Sequence, residues 1–336
     1  MASTRTTRVL TLRSLVAAAV MAATCTLTPV TAQGAPERSA APPEAAMRWA
    51  VSDGSALIRG SRATSLTKIG TGQYEVTFDS DVSACAFVAT TQVSGDEALM
   101  VFTAGGHLSA NGVYLETKRQ DGALVDGPFH VLAMCDDTAQ AGRRAVVGGR
   151  SNLVRASAGT RLRASGAGTY SVHFTRNVRG CAFLATVGDP HDGSVTEPDG
   201  VYTSSDPTDA NAVYIETKNP GGGLQPGVPF HLAVVCGNHG IRFVAVRADG
   251  TPQRGTPLTS AYVSSVGHYT VVADQDITGC AWLATRGQTG TDVPYSPATV
   301  EVTAGPGANT VAIEERSLAF FGGAFANEAF HFVAAC

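Results

Sequence analysis

Tyr74-Glu-Val-Thr-Phe78 and Tyr170-Ser-Val-His-Phe174 alternate apolar with polar side chains, the period of a strand that buries one face. Two further runs are almost wholly apolar. In one, Phe129, Val131, Ala133 and Cys135 share a face; in the other, Cys85, Phe87 and Ala89 do. Each cysteine points the same way as the phenylalanines, which predicts a disulfide packed on an aromatic and crossing between two β-layers. Gly, Asp, Asn and Pro turns separate the runs, and no long helical period is present. Residues 48–135 predict about seven strands, near 48–51, 64–69, 74–78, 85–91, 98–103, 112–118 and 129–135.

This pattern is written three times. Arg59, Arg155 and Arg254 each stand 15 residues before Tyr74, Tyr170 and Tyr269, and each Tyr follows a Gly by two and precedes Cys85, Cys181 or Cys280 by 11. The cysteines open the related stretches ACAFVAT, GCAFLAT and GCAWLAT, counted with the residue before each. Asn-x-Val-x-[Leu/Ile]-Glu recurs from Asn111, Asn211 and Asn309, and every unit closes on Phe-His with a second Cys six residues after that Phe. Periods of 96 and 99 residues predict an all-β chain of three tandem β-sandwich repeats, jelly-roll or immunoglobulin-like, at 48–137, 144–238 and 242–336. The joins are short enough for neighbours to touch, and either a rod or a closed pseudo-trimer satisfies them.

Two cysteines per repeat predict one disulfide in each: Cys85 with Cys135, Cys181 with Cys236, and Cys280 with Cys336. Only a few of the 15 possible pairings respect the threefold repetition. Free thiols or a metal site are the alternatives, but no CxxC spacing is present. Each bridge closes a loop of 50 to 56 residues, worth about 4 kcal/mol in the chain-entropy model.

The first 32 residues hold Arg5, Arg8 and Arg13, no acid, an apolar run from Leu15, and the small-residue site Val30-Thr31-Ala32. They predict a secretory signal peptide over 1–32, in preference to a membrane anchor, because the run is short and ends at Pro29. Cys25 falls inside it. Residues 33–47, rich in Pro, Ala and Ser, predict a flexible leader. Beyond the signal no segment could span a membrane.

Composition narrows the partners. The chain of 336 residues is 44% hydrophobic and 15% charged, with 37 Gly and 16 Pro, a globular and turn-rich balance. Taking the three leader arginines from 24 basic residues leaves 21 against 28 acids, near −7, which disfavours nucleic acid. The arginine-rich, lysine-poor composition points to secretion by an actinobacterium-like organism. The combined pattern from Arg-Gly through Gly-x-Tyr-x-Val-x-Phe and [Gly/Ala]-Cys-Ala-[Phe/Trp]-x-Ala-Thr to Phe-His and Cys resembles a tandem repeat of secreted, disulfide-containing actinobacterial proteins, and covers nearly all of 48–336. The strand Gly-x-Tyr-x-Val-x-Phe is also loosely similar to H-type lectin and phage tail-tip β-sandwich domains. The first resemblance implies an exported repeat protein and no particular activity.

Candidate chemistry is sparse. Tyr114, Glu116 and Lys118, and likewise Tyr214, Glu216 and Lys218, are expected to face outward together, either as a polar ligand platform such as a sugar site or as a solvated face with same-strand ion pairs. Ala312 replaces the tyrosine in the third repeat. His130, His231 and His331 point away from the disulfide face and either bond at a sheet edge or meet as a metal site in a closed ring. The three repeated arginines are expected to bond turn carbonyls or a neighbouring acid, or a ligand carboxylate. The acidic, Gly-rich stretches from Gly188 and Ser204 are expected to be solvated loops, since they lack calcium-loop spacing.

No GxSxG, HExxH, phosphate loop or dinucleotide fingerprint is present, and no paired carboxylates stand apart from the repeat, so neither an enzyme nor a cofactor or metal is expected. The expected protein is a secreted, non-catalytic binding or structural protein of the cell envelope or extracellular matrix. Its partner would be cell-wall glycan or extracellular protein, held multivalently. The alternative is a secreted hydrolase or inhibitor with one functional repeat. The oligomeric state is open.

Overall fold

Both the alternating and the continuous apolar runs are strands in the computed structural model, which describes residues 47–336 apart from 94, 96, 137–141, 196, 238–240, 257–258, 293–296 and 318–322. The expected signal peptide (1–32) and the leader up to residue 46 lie outside the described residues. Among those described there is no α-helix, and no helix long and apolar enough to cross a membrane.

The first segment carries β1 (Arg48–Ser52), β2 (Leu57–Ser61), β3 (Ala63–Gly70), β4 (Gln73–Phe78), β5 (Ala86–Gln92), β6 (Met100–Gly105), β7 (Gly112–Lys118) and β8 (Phe129–Met134). The second carries β9 (Gly142–Gly148), β10 (Asn152–Ala156), β11 (Arg161–Gly166), β12 (Thr169–His173), β13 (Ala182–Val187), β14 (Gly200–Ser205), β15 (Ala212–Lys218) and β16 (Phe230–Val235). The third carries β17 (Ile241–Val246), β18 (Pro252–Gly255), β19 (Ser260–Ser265), β20 (His268–Val272), β21 (Ala281–Arg286), β22 (Ala298–Ala304), β23 (Thr310–Ser317) and β24 (Phe330–Ala335). Strand β2 is absent from the expected seven. Its sequence, LIRGS, is too short and too mixed to show a period, and it lies at a sheet edge.

Within each segment the strands pair antiparallel in two groups of four. The orders are β5-β8-β1-β2 and β3-β4-β7-β6, then β13-β16-β9-β10 and β11-β12-β15-β14, then β21-β24-β17-β18 and β19-β20-β23-β22. The repeated Gly-x-Tyr marks the hairpin that opens the second group. Gly72, Gly168 and Gly267 take φ of 65°, 70° and 70°, and a Cβ on Gly72 would lie 2.6 Å from the Thr117 carbonyl oxygen, so glycine is required there. The tyrosine two residues on is buried in all three cases.

The disulfides join the expected partners, Cys85–Cys135, Cys181–Cys236 and Cys280–Cys336. They do not cross between layers. β5 pairs with β8 through Ala86 opposite Met134, so Cys85 and Cys135 face each other one step further along the same ladder, with Cα atoms 4.4 Å apart. The other two bridges repeat this, at 4.3 and 4.2 Å. The shared face of cysteine and phenylalanine is correct, since Cys85, Phe87, Ala89, Phe129, Val131, Ala133 and Cys135 all enter one buried cluster with Tyr74, Val76 and Phe78 of the other sheet. A common face fixes which side a cysteine points to, and neighbouring strands offer the same side as an opposite layer does.

The opposite faces of β5, β8 and their counterparts are buried as well. Val88, Leu132, Met134, Ala182, Leu184, Ala233, Val235, Ala281, Leu283, Val333 and Ala335 form a separate core with Trp49, Val51, Ile241 and Phe243, drawn from all three segments. Burial on both faces accounts for the unbroken apolar runs at the cysteines. The segments also join cyclically by parallel bridges. Thr103 pairs with Gly188 and Thr203 with Gly287, while Glu301 and Val302 of β22 pair with Thr91 and Gln92 of β5. First meets second, second meets third, and third meets first.

Candidate functional site

The residues that repeat most strictly make these joins. His231 Nδ1 accepts the Phe87 backbone N–H at 2.9 Å, His331 accepts that of Phe183 at 3.2 Å, and His130 accepts that of Trp282 at 2.8 Å. Accepting at Nδ1 puts the proton on Nε2, which His231 donates to the Asp189 carbonyl and His331 to the Gln288 carbonyl. Burial pushes His130 and His231 down to about 3 and His331 well below its ordinary value, so all three are neutral imidazoles. They lie on central strands, not at a sheet edge as expected, and among the described residues no group of His, Cys, Asp and Glu is placed to hold a metal. Thr186, Thr285 and Thr90 bond the backbones of Ala89, Ala185 and Ala284 in the same cyclic order, each accepting the N–H at 2.8 to 2.9 Å and donating to the carbonyl.

The arginines complete each joint. Arg155 Nε donates to the Cys85 carbonyl at 2.8 Å, Arg254 Nε to that of Cys181 at 2.7 Å, and Arg59 Nε and Nη2 to that of Cys280 at 3.2 and 3.0 Å. Each guanidinium lies 5.0 to 5.6 Å over Phe87, Phe183 or Trp282. A second N–H of Arg155 reaches the Pro190 carbonyl, and one of Arg254 the Thr289 carbonyl. Only a planar fork can span two carbonyls while stacking on a ring. Arg254→Lys is therefore expected to destabilise the protein by about 1.5–3 kcal/mol, read from the urea midpoint, although the charge is kept.

The Tyr-Glu-Lys rows share a face, as the alternation requires, but that face is not exposed. Tyr114, Glu116 and Lys118 are 2%, 3% and 4% exposed, and Glu216 and Lys218 are also buried. Glu116 accepts from Tyr114 at 2.9 Å and pairs with Lys118 at 2.8 Å; Glu216 accepts from Tyr214 at 3.0 Å and pairs with Lys218 at 2.8 Å. His107 stacks on Tyr114 with centroids 3.7 Å apart, and Lys118 lies 5.0 Å over Phe102 and donates to the Val195 carbonyl. The acidic loop after Gly188 keeps the side chains of His191, Asp192, Ser194 and Glu197 exposed, as expected of a solvated loop, while its backbone is anchored. It lies against the first segment, with the His191 carbonyl accepting from Gly105 N and Val195 receiving Lys118.

A cavity of about 90 Å³ opens where the three segments meet. Its walls are equivalent positions of the three: Ala89-Thr90-Thr91, Ala185-Thr186-Val187 and Ala284-Thr285-Arg286, with Leu99 to Phe102, Asp199 to Tyr202, and Ala298 to Val300. Here the repeat departs from itself. Strand register aligns Met100, Gly200 and Thr299 opposite Lys118, Lys218 and Arg316. Asp199 therefore stands where the neighbours have Leu99 and Ala298, and Tyr202 where they have Phe102 and Glu301. Arg286, opposite Phe330, stands where they have Thr91 and Val187, opposite Phe129 and Phe230.

Three of the odd residues bring oxygens without a well-formed partner among the described residues. Thr299 Oγ1 and the Tyr202 hydroxyl are buried and make no hydrogen bond of ordinary geometry there, although the Ala298 backbone lies near that hydroxyl, and Asp199, 7% exposed, has no hydrogen bond or ion pair among the described residues. Burial, with Glu197 nearby, pushes Asp199 up to about 6. Burial pushes Tyr202 up to about 12, with Arg286 and the Ala298 backbone opposing the rise. Arg286 is held by Glu328 at 3.0 Å and lies 5.9 Å over the Tyr202 ring.

Asp199, Tyr202, Arg286 and Thr299 carry no recurring motif, so the repeat does not single them out. The usable signal is the reverse, a residue that departs from its aligned counterparts: Asp199 where they are Leu99 and Ala298, Thr299 where they are Met100 and Gly200, and Arg286 where they are Thr91 and Val187. No protein-family model, curated protein or solved structure matches this chain.

Proposed function

We propose that the chain is three β-sandwich repeats closed into a ring, exported and non-catalytic, and that it binds a glycan or protein of the cell envelope or extracellular matrix through the central cavity. Three disulfides suit an oxidising compartment. One observation carries the binding reading: where the threefold pattern breaks in the cavity wall, the Tyr202 and Thr299 hydroxyls and the Asp199 carboxylate have no hydrogen-bond partner of ordinary geometry among the described residues. A buried polar group without a partner destabilises the fold, so its presence supports a ligand that supplies the partner. Burial of the Tyr-Glu-Lys rows removes the basis for equal outer sites, and the cavity lined by all three segments belongs to no one repeat.

The protein collected from culture medium is expected to begin at Gln33, contain no free thiol, and pellet saturably with cell walls or an extracellular protein fraction. Asp199→Leu should abolish pelleting, whereas Tyr214→Phe should leave it intact. Loss with Tyr214→Phe and retention with Asp199→Leu would return the site to the rows.

A further inference from the structure

We propose that the central cavity is a receptor for a primary ammonium group carried on an aliphatic stem, a proposal that rests on reading this cavity as the ligand site. An alkylammonium has three N–H donors and no acceptor, and the cavity offers three acceptor groups without a well-formed partner among the described residues: the Asp199 carboxylate and the Tyr202 and Thr299 hydroxyls. The rest of the wall suits the stem. Leu99, Val101, Phe102, Val187, Val201 and Val300 line it, so methylene groups would be removed from water while the charged end meets the polar atoms. A volume of about 90 Å³ holds several waters or one such chain end.

Charge favours a cation over an anion. The cationic wall residue, Arg286, is already occupied by Glu328 at 3.0 Å, with Glu315 at 3.8 Å. Among the described residues Asp199 has no countercharge, and its charged neighbour is a second acid, Glu197, which raises it further. An arriving ammonium would satisfy the carboxylate and relieve that repulsion; an arriving carboxylate would add to it.

The equivalent positions supply their own controls. Leu99 and Phe102 occupy the Asp199 and Tyr202 positions in the first segment, so Asp199→Leu and Tyr202→Phe install side chains that the fold already accommodates. Titrating the full oxidised protein at pH 7.5 with n-butylamine, followed by NMR of the cavity methyls, should show saturable binding. Uncharged n-butanol should bind at least about tenfold more weakly, the loss expected when a charge-assisted hydrogen bond is removed. Asp199→Leu and Asp199→Asn should each weaken butylamine by a similar factor, and Asp199→Leu should raise the melting temperature of the free protein, because it removes an unpaired buried acid.

Equal binding of butanol and butylamine, or undiminished binding in both Asp199 variants, would overturn the proposal. If butylamine fails while Asp199→Leu still abolishes pelleting, the amine is wrong and the central site stands. If pelleting also survives Asp199→Leu, both readings fall. The ammonium can come from a lysine of an extracellular protein or from an amine-bearing wall polymer. Acetylating each fraction before pelleting identifies the source by loss of binding, and retention in both overturns the amine.

Discussion

A chain lacking residues 241–336 is expected to lose cooperative folding altogether, not one third of it. Removing the third segment takes Ile241, Phe243, Ala281, Leu283, Val333 and Ala335 from the fifteen buried residues of the shared core. At roughly 1–3 kcal/mol for each large apolar side chain, that loss approaches about 10 kcal/mol, comparable to the whole stability of an ordinary domain. Two joints open at once. The His130 ring loses the Trp282 amide, the Phe183 amide loses the His331 ring, and β5 loses its parallel partner β22. Calorimetry of the full oxidised protein should show one transition, and the truncated chain should show none while binding a hydrophobic dye. A truncated chain that melts cooperatively with about two thirds of the enthalpy would mean that the segments fold independently.

This dependence explains why one short stretch is written three times. In Gly-Cys-Ala-Phe-Leu-Ala-Thr, one face carries Cys181, Phe183 and Ala185 into the segment's own core, and the other carries Ala182 and Leu184 into the shared one. Thr186 at its end bonds the backbone of the preceding segment, and Phe183 presents its ring to Arg254 of the next. A stretch with work on both faces and at its end has little freedom to vary. The stretches that face only solvent or a loop have diverged.

What could be read in advance follows the range of the interaction. Alternation and turn residues act locally, and the strands they mark in residues 48–135 are all present; the short edge strand β2 is the one they do not mark. Cysteine pairing followed from repetition, because a threefold pattern leaves few pairings. Whether the bridge lay within a sheet or between layers did not, since Cys85 and Cys135 point to the same side in either case. The row at Tyr114, Glu116 and Lys118 was placed correctly on one face and wrongly in solvent. A strand's own sequence carries no mark of the loop from another segment, here around Val195, that covers it. The central site was legible only by subtraction: align the repeats and Asp199, Tyr202 and Arg286 are the exceptions.

Stability is expected to be greatest between about pH 4.5 and 6.5 and to fall on both sides, for separate reasons. On the acid side the three histidines act. Each is neutral in the folded protein, with His130 and His231 down at about 3, and each binds a proton near 6.5 once unfolded. The unfolded chain therefore holds up to three more protons, and folding weakens as pH falls. On the alkaline side Glu301 and Glu315 act, pushed up to about 8 by burial. They stay protonated when folded but ionise near 4.5 when unfolded, so the folded chain holds two more protons and folding weakens as pH rises. From about 4.5 to 6 these two, with Asp199 at about 6, offset the three histidines, which produces the plateau. Below about pH 4 the slope should approach three protons, about 4 kcal/mol per pH unit, steepened by acids such as Asp126 that hydrogen bonds hold below their ordinary value. Above 6.5 it should approach two protons of the opposite sign and level off past pH 8. Urea midpoints from pH 3 to 9 measure both limbs, and Glu315→Gln should remove about half of the alkaline slope while leaving the acid limb unchanged. Stability that climbs steadily through pH 8 would mean that Glu301 and Glu315 are ionised in the folded protein, and that Arg286 and Arg316 hold them as salt bridges.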